Sequence, residues 1–196
     1  FDGLVNLKAV LSLGAGVDAL LRHPHLPDRP IVRFVDDDLT QRMSDYVLAN
    51  VTIHTRLWAR FKADQEARRW VQLYPPPAWT VTVGVMGLGV LGLDAIRHLK
   101  AFGYRLRGWS RTKKDIEGVE TFAGDGAFDA FLAGTDILVN LLPLTDETQG
   151  ILNYETFGKL NRDGLTDGPV VINAGRGGHQ READLVRALT DGTLSA

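Results

Sequence analysis

The sequence feature that most constrains the fold is a glycine-rich turn between an apolar run and an amphipathic segment. The apolar run, TVTVGVM, spans residues 80–86, and the turn contains Gly87-x-Gly89-x-x-Gly92. In a dinucleotide-binding unit the first glycine permits a tight turn and the second lets backbone approach a pyrophosphate. The third allows a helix to pack closely on the sheet. We therefore predict a cofactor-binding turn, with an ordinary structural turn as the alternative because 21 glycines make chance matches common.

The helix predicted after this turn presents its first backbone N–H groups, at Val90 and Leu91, to the same place. These groups have no partner within a helix, and the positive end of the helix dipole adds to their attraction for phosphate. Val90 and Leu91 therefore join the three glycines in the predicted cofactor site. Leu91, Ala95, Leu99 and Phe102 recur at helical spacing and are predicted to lie on one face.

Strand candidates continue along the rest of the chain and alternate with helical segments. The strand candidates are residues 104–109, 119–122, 136–142 and 169–173, and the helical segments are about residues 126–133 and 181–190. This alternation predicts a parallel sheet covered by helices on both faces. We therefore predict an α/β fold in which a doubly wound, Rossmann-type domain spans residues 43–196 and residues 1–42 belong to a second domain.

The N-terminal region contains shorter elements. Residues 8–13 and 31–35 are strand candidates, and Asp18 is predicted to cap a helix that runs through Leu21. The three aspartates at positions 36–38 are interpreted as a hinge.

A helical region is predicted after that hinge. It extends from about Ser44 to Trp70, and the prolines at positions 75–77 end the region. The apolar residues at helical spacing are Ile53, Leu57 and Phe61, beside Val47, Val51 and Trp58.

The end of the second strand of the predicted nucleotide domain bears on the choice of cofactor. An acidic residue usually lies there, about 20 residues beyond the glycine turn, and binds the ribose hydroxyls of NAD. Ser110 stands at that position, 18 residues after Gly92, and Arg111, Thr112 and Lys113 follow it. Serine removes the repulsion that a carboxylate would exert on a 2′-phosphate, and its neighbours supply positive charge and hydrogen-bond donors. We therefore predict a site for NADP(H), with NAD(H) as the alternative cofactor and a solvated basic turn as the structural alternative.

Composition excludes several other classes of protein. Because the chain has no cysteine, it can form no disulfide, no thiolate nucleophile and no cysteine-ligated zinc site. The 22 basic and 24 acidic residues give a formal charge of −2, so no global basic field would attract nucleic acid. No apolar run in the sequence approaches the roughly 20 residues that a membrane span requires. We expect no metal site, no nucleic-acid or membrane partner, and a cytoplasmic location.

Five segments, in this order, resemble the D-2-hydroxyacid dehydrogenase family and in particular its glyoxylate/hydroxypyruvate reductase A branch. They are LSLGAGVDALL, VGVMGLGVLG, LRGWSRTKK, LVNLLPLTDETQGILN and VVINAGRGGHQREADLVRAL, and together they extend over nearly the whole chain. The resemblance implies an oxidoreductase, an NAD(P)-dependent 2-hydroxyacid dehydrogenase, that reduces glyoxylate, hydroxypyruvate or a similar 2-oxo acid with NADPH. It also implies a homodimer and a flavodoxin-like substrate domain, of which residues 1–42 would form an incomplete part.

The resemblance also assigns roles to individual residues. Ala15 and Gly16, in GAGVD, would offer backbone N–H groups to the substrate carboxylate. Arg176, in INAGRGG, would pair with that carboxylate and polarise the reacting carbonyl, which makes it the predicted catalytic residue. Without the resemblance, both segments would be interpreted as ordinary turns. The residues implied to lie along the cofactor are Leu142, Pro143, Thr148, Ala174 and Gly175.

The family's proton donor, a histidine oriented by a carboxylate, has no counterpart in this sequence. In the family both groups follow the segment that matches DGTLSA, and we therefore expect the chain to lack them together with the closing strands of the nucleotide domain. His25 precedes the nucleotide domain and lies in a proline-rich loop, so we do not expect it to replace the donor. His179 is expected close to Arg176, with a local role.

Two alternatives remain open at this stage. One is an NAD-dependent enzyme of the phosphoglycerate dehydrogenase type, which the basic segment after Ser110 disfavours. The other is a non-catalytic, NAD(P)-sensing protein similar to the corepressors that share this fold. A histidine and a glutamate downstream would favour an enzyme, and a peptide groove in the N-terminal part would favour a sensor.

Overall fold

A computed structural model describes Phe1 and residues 3–196 of the chain, in which parallel strands form two sheets. The smaller sheet pairs β1 with β2, and the larger has the order β5-β4-β3-β6-β7. Every pairing in both sheets is parallel. The strands are β1 (Val10–Leu11), β2 (Ile31–Val32), β3 (Thr82–Met86), β4 (Arg105–Ser110), β5 (Glu120–Ala123), β6 (Ile137–Asn140) and β7 (Val170–Asn173).

Helices connect these strands and cover the faces of the larger sheet. They are α1 (Asp18–Leu21), α2 (Asp37–Thr55), α3 (Trp58–Glu66), α4 (Val90–Ala101), α5 (Phe128–Ala133), α6 (Tyr154–Gly158) and α7 (Glu182–Thr190). Short 3-10 helices cover Ala78–Thr80, Asp125–Ala127 and Gly177–His179. The sequence predicted α4, α5 and α7, whereas α6 is too short to leave a clear periodic pattern.

The strand order confirms the predicted doubly wound fold. The chain starts at β3 in the middle of the sheet, moves outward through β4 to β5, and then returns to the other side of β3 for β6 and β7. This reversal opens a crevice at the carboxyl ends of β3 and β6, which is where ligands bind in open α/β sheets. The fold therefore positions the glycine turn, which follows β3, at that crevice.

Alternate residues of the central strands enter two apolar clusters, one on each face of the sheet. On one face, strand residues such as Val83, Val85 and Val139 pack with residues of α2 and α4, including Val51 and Leu99. The other face forms a second cluster of buried side chains, which include Met86, Phe131, Leu138, Leu152 and Phe157. Burial on both faces explains why the sequence of the central strands is almost continuously apolar.

The acidic run at positions 36–38 begins a helix and is not a hinge. Asp36 is the N-cap of α2, and its carboxylate accepts a hydrogen bond from Leu39 N at 3.2 Å. Asp37 and Asp38 lie in the first turn, where negative charge interacts favourably with the helix dipole. The predicted domain boundary between residues 42 and 43 consequently falls inside α2.

The predicted helical region from Ser44 to Trp70 contains parts of two helices, α2 and α3, because the helix is interrupted at Leu57. This residue has a φ of 55°, and α3 begins directly after it. The break turns Leu57 into the core, while Ile53, Trp58 and Phe61 are 41%, 64% and 41% exposed. A periodic pattern carries no signal for such a left-handed residue, so the interruption could not be predicted from it.

Two smaller predictions need correction. Val17, not Asp18, is the N-cap of α1, and Asp18 is the first residue of that helix. Phe102 follows the last residue of α4 and is exposed, so it does not share the buried face of Ala95 and Leu99.

Candidate active site

The three glycines of the turn after β3 meet different surroundings. Gly87 has a φ of 97°, and a Cβ there would lie 2.8 Å from the carbonyl oxygen of Leu141. A Cβ at Gly92 would overlap the carbonyl oxygen of Gly87. Around Gly89, by contrast, no atom of the described residues beyond its own chain neighbours lies within 4 Å of the Cβ position. The fold itself requires Gly87 and Gly92, whereas the space beside Gly89 is open to a ligand.

Helix α4 begins at this open space. Gly89 is its N-cap and has no side chain to satisfy the first N–H groups, and Val90 and Leu91 are the first two helical residues. Val90 is exposed and Leu91 is half-buried. The start of α4 therefore offers unpaired backbone donors and the positive end of a helix dipole, which suits a phosphate.

The end of β4 lies beside the glycine turn, because Gly87 N donates a hydrogen bond to Trp109 O at 2.9 Å. Ser110, the last residue of β4, is 9% exposed, and its hydroxyl donates to Thr112 O at 2.8 Å. This bond curls the following loop, in which Arg111, Thr112 and Lys113 are all exposed. The structure thus places a small polar residue and a basic loop where a ribose-binding carboxylate would otherwise lie.

The segment after β6 adjoins the same turn. Leu142 N donates to Asn140 Oδ1 at 3.2 Å, and a Cβ at Gly87 would lie 3.2 Å from Leu142 N. Pro143 O accepts a hydrogen bond from Thr148 Oγ1 at 2.7 Å. The hydroxyl of Thr148 therefore closes its own loop, and Leu142 and Pro143 are the residues of this segment that border the crevice.

Arg176 follows β7 and joins the nucleotide domain to the N-terminal region. Its Nε donates to Asp18 Oδ1 at 3.2 Å, and its Nη1 donates to Gly175 O at 3.2 Å. The guanidinium lies directly over Gly16, where a Cβ would overlap Nη2. Within the described part of the chain, Nη2 has no hydrogen-bond partner, and the side chain is 45% exposed. A charged donor group is thus held in place with one face free.

The turn that carries Ala15 and Gly16 supplies further donors beside that face. Neither backbone N–H donates a hydrogen bond to any of the residues that the structure describes. Gly16 is exposed and Ala15 is half-buried. Backbone N–H groups next to a guanidinium form a site for an anion, and a planar carboxylate suits the fork of an arginine.

Ala174 and Gly175 occupy the bend between β7 and Arg176. Ala174 N donates to Asn140 O at 3.0 Å, and Gly175 N donates to Asn173 Oδ1 at 3.2 Å. A Cβ at Gly175 would lie 2.9 Å from the ring of His179, so only glycine fits beside that ring. The bend therefore packs against the segment after β6, which places the two predicted cofactor segments side by side.

Sequence reasoning missed three groups that hold this site together. Asp18 was predicted as a helix cap but pairs with Arg176, and Asn140 and Asn173 join the ends of β6 and β7. The two asparagines had a usable signal, since Asn173 ends the predicted strand 169–173 and Asn140 is the polar residue near the end of the predicted strand 136–142. No signal could have paired Asp18 with Arg176, which lies 158 residues further along the chain.

The acidic groups with shifted pKa values lie away from this crevice. Burial raises the pKa of Asp136, which precedes β6 at the opposite edge of the sheet and accepts a hydrogen bond from Thr82 N at 2.7 Å. A hydrogen bond from Ser44 lowers the pKa of Asp94, which fastens α4 to α2 with an oxygen–oxygen distance of 2.6 Å. Both carboxylates therefore have structural roles.

No group of three metal-ligating side chains occurs in Phe1 and residues 3–196, and no helix there is long and apolar enough to cross a membrane.

Comparison with known proteins bears directly on this geometry. Residues 48–196 match the family model of the D-isomer specific 2-hydroxyacid dehydrogenase, NAD binding domain. The glyoxylate/hydroxypyruvate reductase A of Yersinia enterocolitica is 41% identical over 98% of this chain and 62% of its own length. The chain thus spans about three fifths of the length of the curated relatives that it matches.

Two solved structures show the same fold. A probable 2-hydroxyacid dehydrogenase from Rhizobium etli, in complex with NADP, HEPES and L(+)-tartaric acid, is 54% identical with a TM-score of 0.93. The NADPH-dependent glyoxylate/hydroxypyruvate reductase of Sinorhizobium meliloti, in complex with NADP and sulfate, is 50% identical with a TM-score of 0.92. Each comparison covers 97% of this chain and 60% of the other chain.

Proposed function

The chain belongs to the D-isomer specific 2-hydroxyacid dehydrogenase family, and on this basis we propose that the protein reduces a small 2-oxo acid with NADPH. The substrate class that we propose is glyoxylate or hydroxypyruvate, and the product is the corresponding 2-hydroxy acid. Similarity to the reductases of Yersinia enterocolitica and Sinorhizobium meliloti supports this choice.

The observation that carries the proposal is the convergence of Arg176 with the Ala15–Gly16 turn beside the glycine turn. Arg176 Nη2 lies over Gly16, in a turn where two backbone N–H groups have no partner among the described residues, and the bend before Arg176 packs on the segment that borders Gly87. A carboxylate bound there would leave the adjacent carbonyl within reach of the crevice. The arrangement thus brings the proposed substrate and cofactor together at the carboxyl edge of the sheet.

We propose that Gly87, Gly89, Val90, Leu91 and Gly92 hold the pyrophosphate. Leu142, Pro143, Thr148, Ala174 and Gly175 would border the rest of the cofactor, with Thr148 acting through the loop that it closes. When bound, NADPH supplies the hydride that reduces the carbonyl carbon. Negative charge then develops on the carbonyl oxygen, and the guanidinium of Arg176 stabilises it more strongly than it stabilises the uncharged ketone.

The reduction also needs a proton for the new hydroxyl group. His179 is the histidine closest in sequence to Arg176, but its ring is fully buried and both ring nitrogens lie within 3.2 Å of backbone groups. We therefore do not assign His179 as the proton donor. By the family resemblance, the donor is a histidine oriented by a carboxylate, which is a proposal for the whole protein.

Cofactor preference follows from the residues at the end of β4. Ser110 carries no charge that would repel a 2′-phosphate, and Arg111 and Lys113 are exposed on the loop that its hydroxyl shapes. Charge-assisted hydrogen bonds of this kind contribute about 1.5–3 kcal/mol each. NADP in the structures from Rhizobium etli and Sinorhizobium meliloti supports the proposal that this chain prefers NADPH.

Kinetics of the full-length gene product test the proposed reaction. We expect NADPH oxidation that depends on glyoxylate or hydroxypyruvate, with kcat/KM in the range of about 10⁴–10⁸ M⁻¹ s⁻¹ that is typical of enzymes. The product should be the D-isomer where the 2-hydroxy acid is chiral. Binding of NADPH without any turnover of 2-oxo acids would instead support the sensing function.

The proposal extends to the assembly and location of the protein. We propose a homodimer in which a second copy covers the α3 cleft, an open cleft of about 800 Å³ lined by Trp58, Phe61, Trp70 and Val71 among others. Trp70 is 95% exposed, and monomers rarely leave such apolar surface uncovered.

We also propose that residues 1–42 belong to the substrate domain and that the protein works in the cytoplasm, where NADPH is available.

A further inference from the structure

We propose that His179 is a positioning residue that sets Arg176 against the cofactor segment after β6. The inference rests on the proposed function, because it assigns a role within the same site. His179 is fully buried although it lies three residues from the exposed Arg176. A buried imidazole requires hydrogen-bond partners, and here the partners belong to the two segments that the reaction must bring together.

One ring nitrogen of His179 holds the backbone of Arg176. Nδ1 lies 3.0 Å from Arg176 N and 3.1 Å from Arg176 O. Arg176 O already accepts hydrogen bonds from His179 N and Asn173 Nδ2, both at 3.1 Å. Among the residues that the structure describes, Arg176 N has no acceptor other than Nδ1. Nδ1 therefore accepts the Arg176 N–H, and this nitrogen carries no proton.

The other ring nitrogen holds the segment after β6. With Nδ1 unprotonated, Nε2 carries the hydrogen and donates it to Pro143 O at 3.2 Å. The same carbonyl accepts from Thr148 Oγ1, which fixes its direction. The imidazole is thus a bridge between the backbone of Arg176 and the backbone of Pro143.

A second bridge runs in parallel through the asparagines at the strand ends. Asn140 and Asn173 are register partners of β6 and β7, and Asn140 Nδ2 donates to Asn173 Oδ1 at 2.9 Å. Asn140 Oδ1 in turn accepts from Leu142 N, and Asn173 Oδ1 accepts from Gly175 N. The asparagine bridge fixes the start of both segments, and the imidazole bridge fixes them further out, beside the guanidinium.

This arrangement explains why the bend contains a glycine at position 175. A Cβ at Gly175 would lie 2.9 Å from Nδ1 of His179 and 3.0 Å from Nδ2 of Asn140. Any side chain at this position would push the two bridges apart. The identity of Gly175 is therefore set by the bridges as well as by any bound cofactor.

Three substitutions of His179 separate its two bonds. Leucine has a similar volume and removes both bonds. Asparagine places its carboxamide oxygen near the position of Nδ1 and can still accept the Arg176 N–H, whereas glutamine places its amide nitrogen near Nε2 and can still donate to Pro143 O. His54→Leu, at a half-buried histidine of α2, is the matched control for the loss of a histidine.

The first readout is the affinity of the NADP-loaded full-length protein for oxalate, an unreactive dicarboxylate that resembles glyoxylate. We expect His179→Leu to weaken oxalate binding by about tenfold or more, since the part-buried backbone N–H of Arg176 loses its acceptor. His179→Asn should recover most of that loss and His179→Gln less, while His179→Gln, which keeps the bond to Pro143 O, should change the NADPH Kd by less than about threefold. Unchanged oxalate affinity in His179→Leu, or equal losses in all three variants, would overturn the proposal.

The second readout needs no substrate. Hydrogen exchange of the Arg176 amide, measured in the ligand-free protein, should be slow in wild type and His179→Asn and much faster in His179→Leu. Equal protection in all of these proteins would contradict the bridge even if the enzyme is active. If wild type binds no oxalate and reduces no 2-oxo acid, the proposed function fails, and the exchange result still decides whether His179 orders Arg176.

Discussion

Ser110 is the residue that we propose to decide between the two nicotinamide cofactors. It ends β4, its hydroxyl is used to curl the loop, and the loop turns Arg111 and Lys113 towards solvent. A carboxylate at this position would favour NAD, because it would accept hydrogen bonds from the two ribose hydroxyls and repel a 2′-phosphate. We propose that the choice between NADP and NAD is made by the nearly buried Ser110 together with the exposed Arg111 and Lys113.

The first prediction is that Ser110→Asp lowers the preference for NADPH over NADH by about tenfold or more, or reverses it, because the new charge lies near the 2′-phosphate. Ser110→Ala is the control, since it also loses the bond to Thr112 O but adds no charge. The measurement is the Kd of each cofactor by fluorescence titration. An aspartate variant that keeps the wild-type ratio would refute the role of this position.

Arg176 is the residue that we propose to bind the substrate and to stabilise the charge that develops on its carbonyl oxygen. Arg176→Ala should lower kcat/KM of the full-length protein by about 10²-fold or more, because a donor to the developing charge is lost. NADPH affinity should stay nearly constant, and Arg176→Lys should restore only part of the activity, since lysine lacks the bidentate fork. The control is Arg42→Ala, another exposed arginine paired with an aspartate. Near-normal turnover of Arg176→Ala would make this residue structural.

Residues at the site divide clearly into those that sequence could and could not identify. The glycines, Ser110 and the basic loop follow from spacing along one strand–turn–helix–strand unit, so their prediction rests on local sequence. Ala15, Gly16 and Arg176 came only from a resemblance, because the fold brings them together over a long separation. His179 was expected to have a local role, and its bond to Pro143 O depends on the pairing of β6 with β7.

Among the elements, the turn between β3 and α4 contains glycines that the fold requires and one that leaves space for a ligand. Gly87 and Gly92 are fixed by close backbone contacts, and Gly89 is not. We propose that the open space beside Gly89 is filled by the cofactor that the turn binds.

We predict that Gly89→Ala weakens NADPH binding by about tenfold or more and shifts the Tm only slightly, because the new methyl group meets cofactor and not protein. Gly158→Ala, which also adds a methyl group in open space, is the control for the change in residue type. Circular dichroism gives the Tm, and fluorescence titration gives the Kd. Unchanged NADPH affinity in Gly89→Ala would show that the phosphates bind elsewhere.

The helices also show where sequence patterns stop being informative. All the strands of the larger sheet were predicted to within a few residues, because buried parallel strands read as apolar runs. The break at Leu57 and the start of α2 at Asp37 were missed. The break depends on a single residue in the left-handed conformation. The start of α2 depends on an N-cap, and its acidic residues are equally common in loops.

At the scale of the whole molecule, the break at Leu57 has a consequence for assembly. It rotates α3 so that Trp58 and Phe61 face outward into the α3 cleft, beside the exposed Trp70. These side chains contribute nothing to the core of the described chain, and a second copy would remove them from water. A stable interface buries about 1,200–2,000 Å² in total, and large aromatic side chains contribute strongly to such contacts.

We therefore predict a dimer by light scattering with size-exclusion chromatography, and a monomer for Trp58→Glu, because a buried unpaired charge at an apolar interface is costly. Val186→Glu, at an exposed apolar residue of α7, is the matched control and should remain dimeric. Circular dichroism should show that both variants are folded. If Trp58→Glu is as dimeric as the control, the interface does not include the α3 cleft.

We propose that the turn after β3 and the basic loop after β4 together form one site for NADP(H). The most direct test is the ratio of the Kd values for NADH and NADPH, measured on the unmodified protein by calorimetry at one ionic strength. The arrangement of Ser110, Arg111 and Lys113 predicts a ratio of about ten or more, which corresponds to about 1.4 kcal/mol or more in favour of NADPH. Equal affinities, or tighter binding of NADH, would contradict the account.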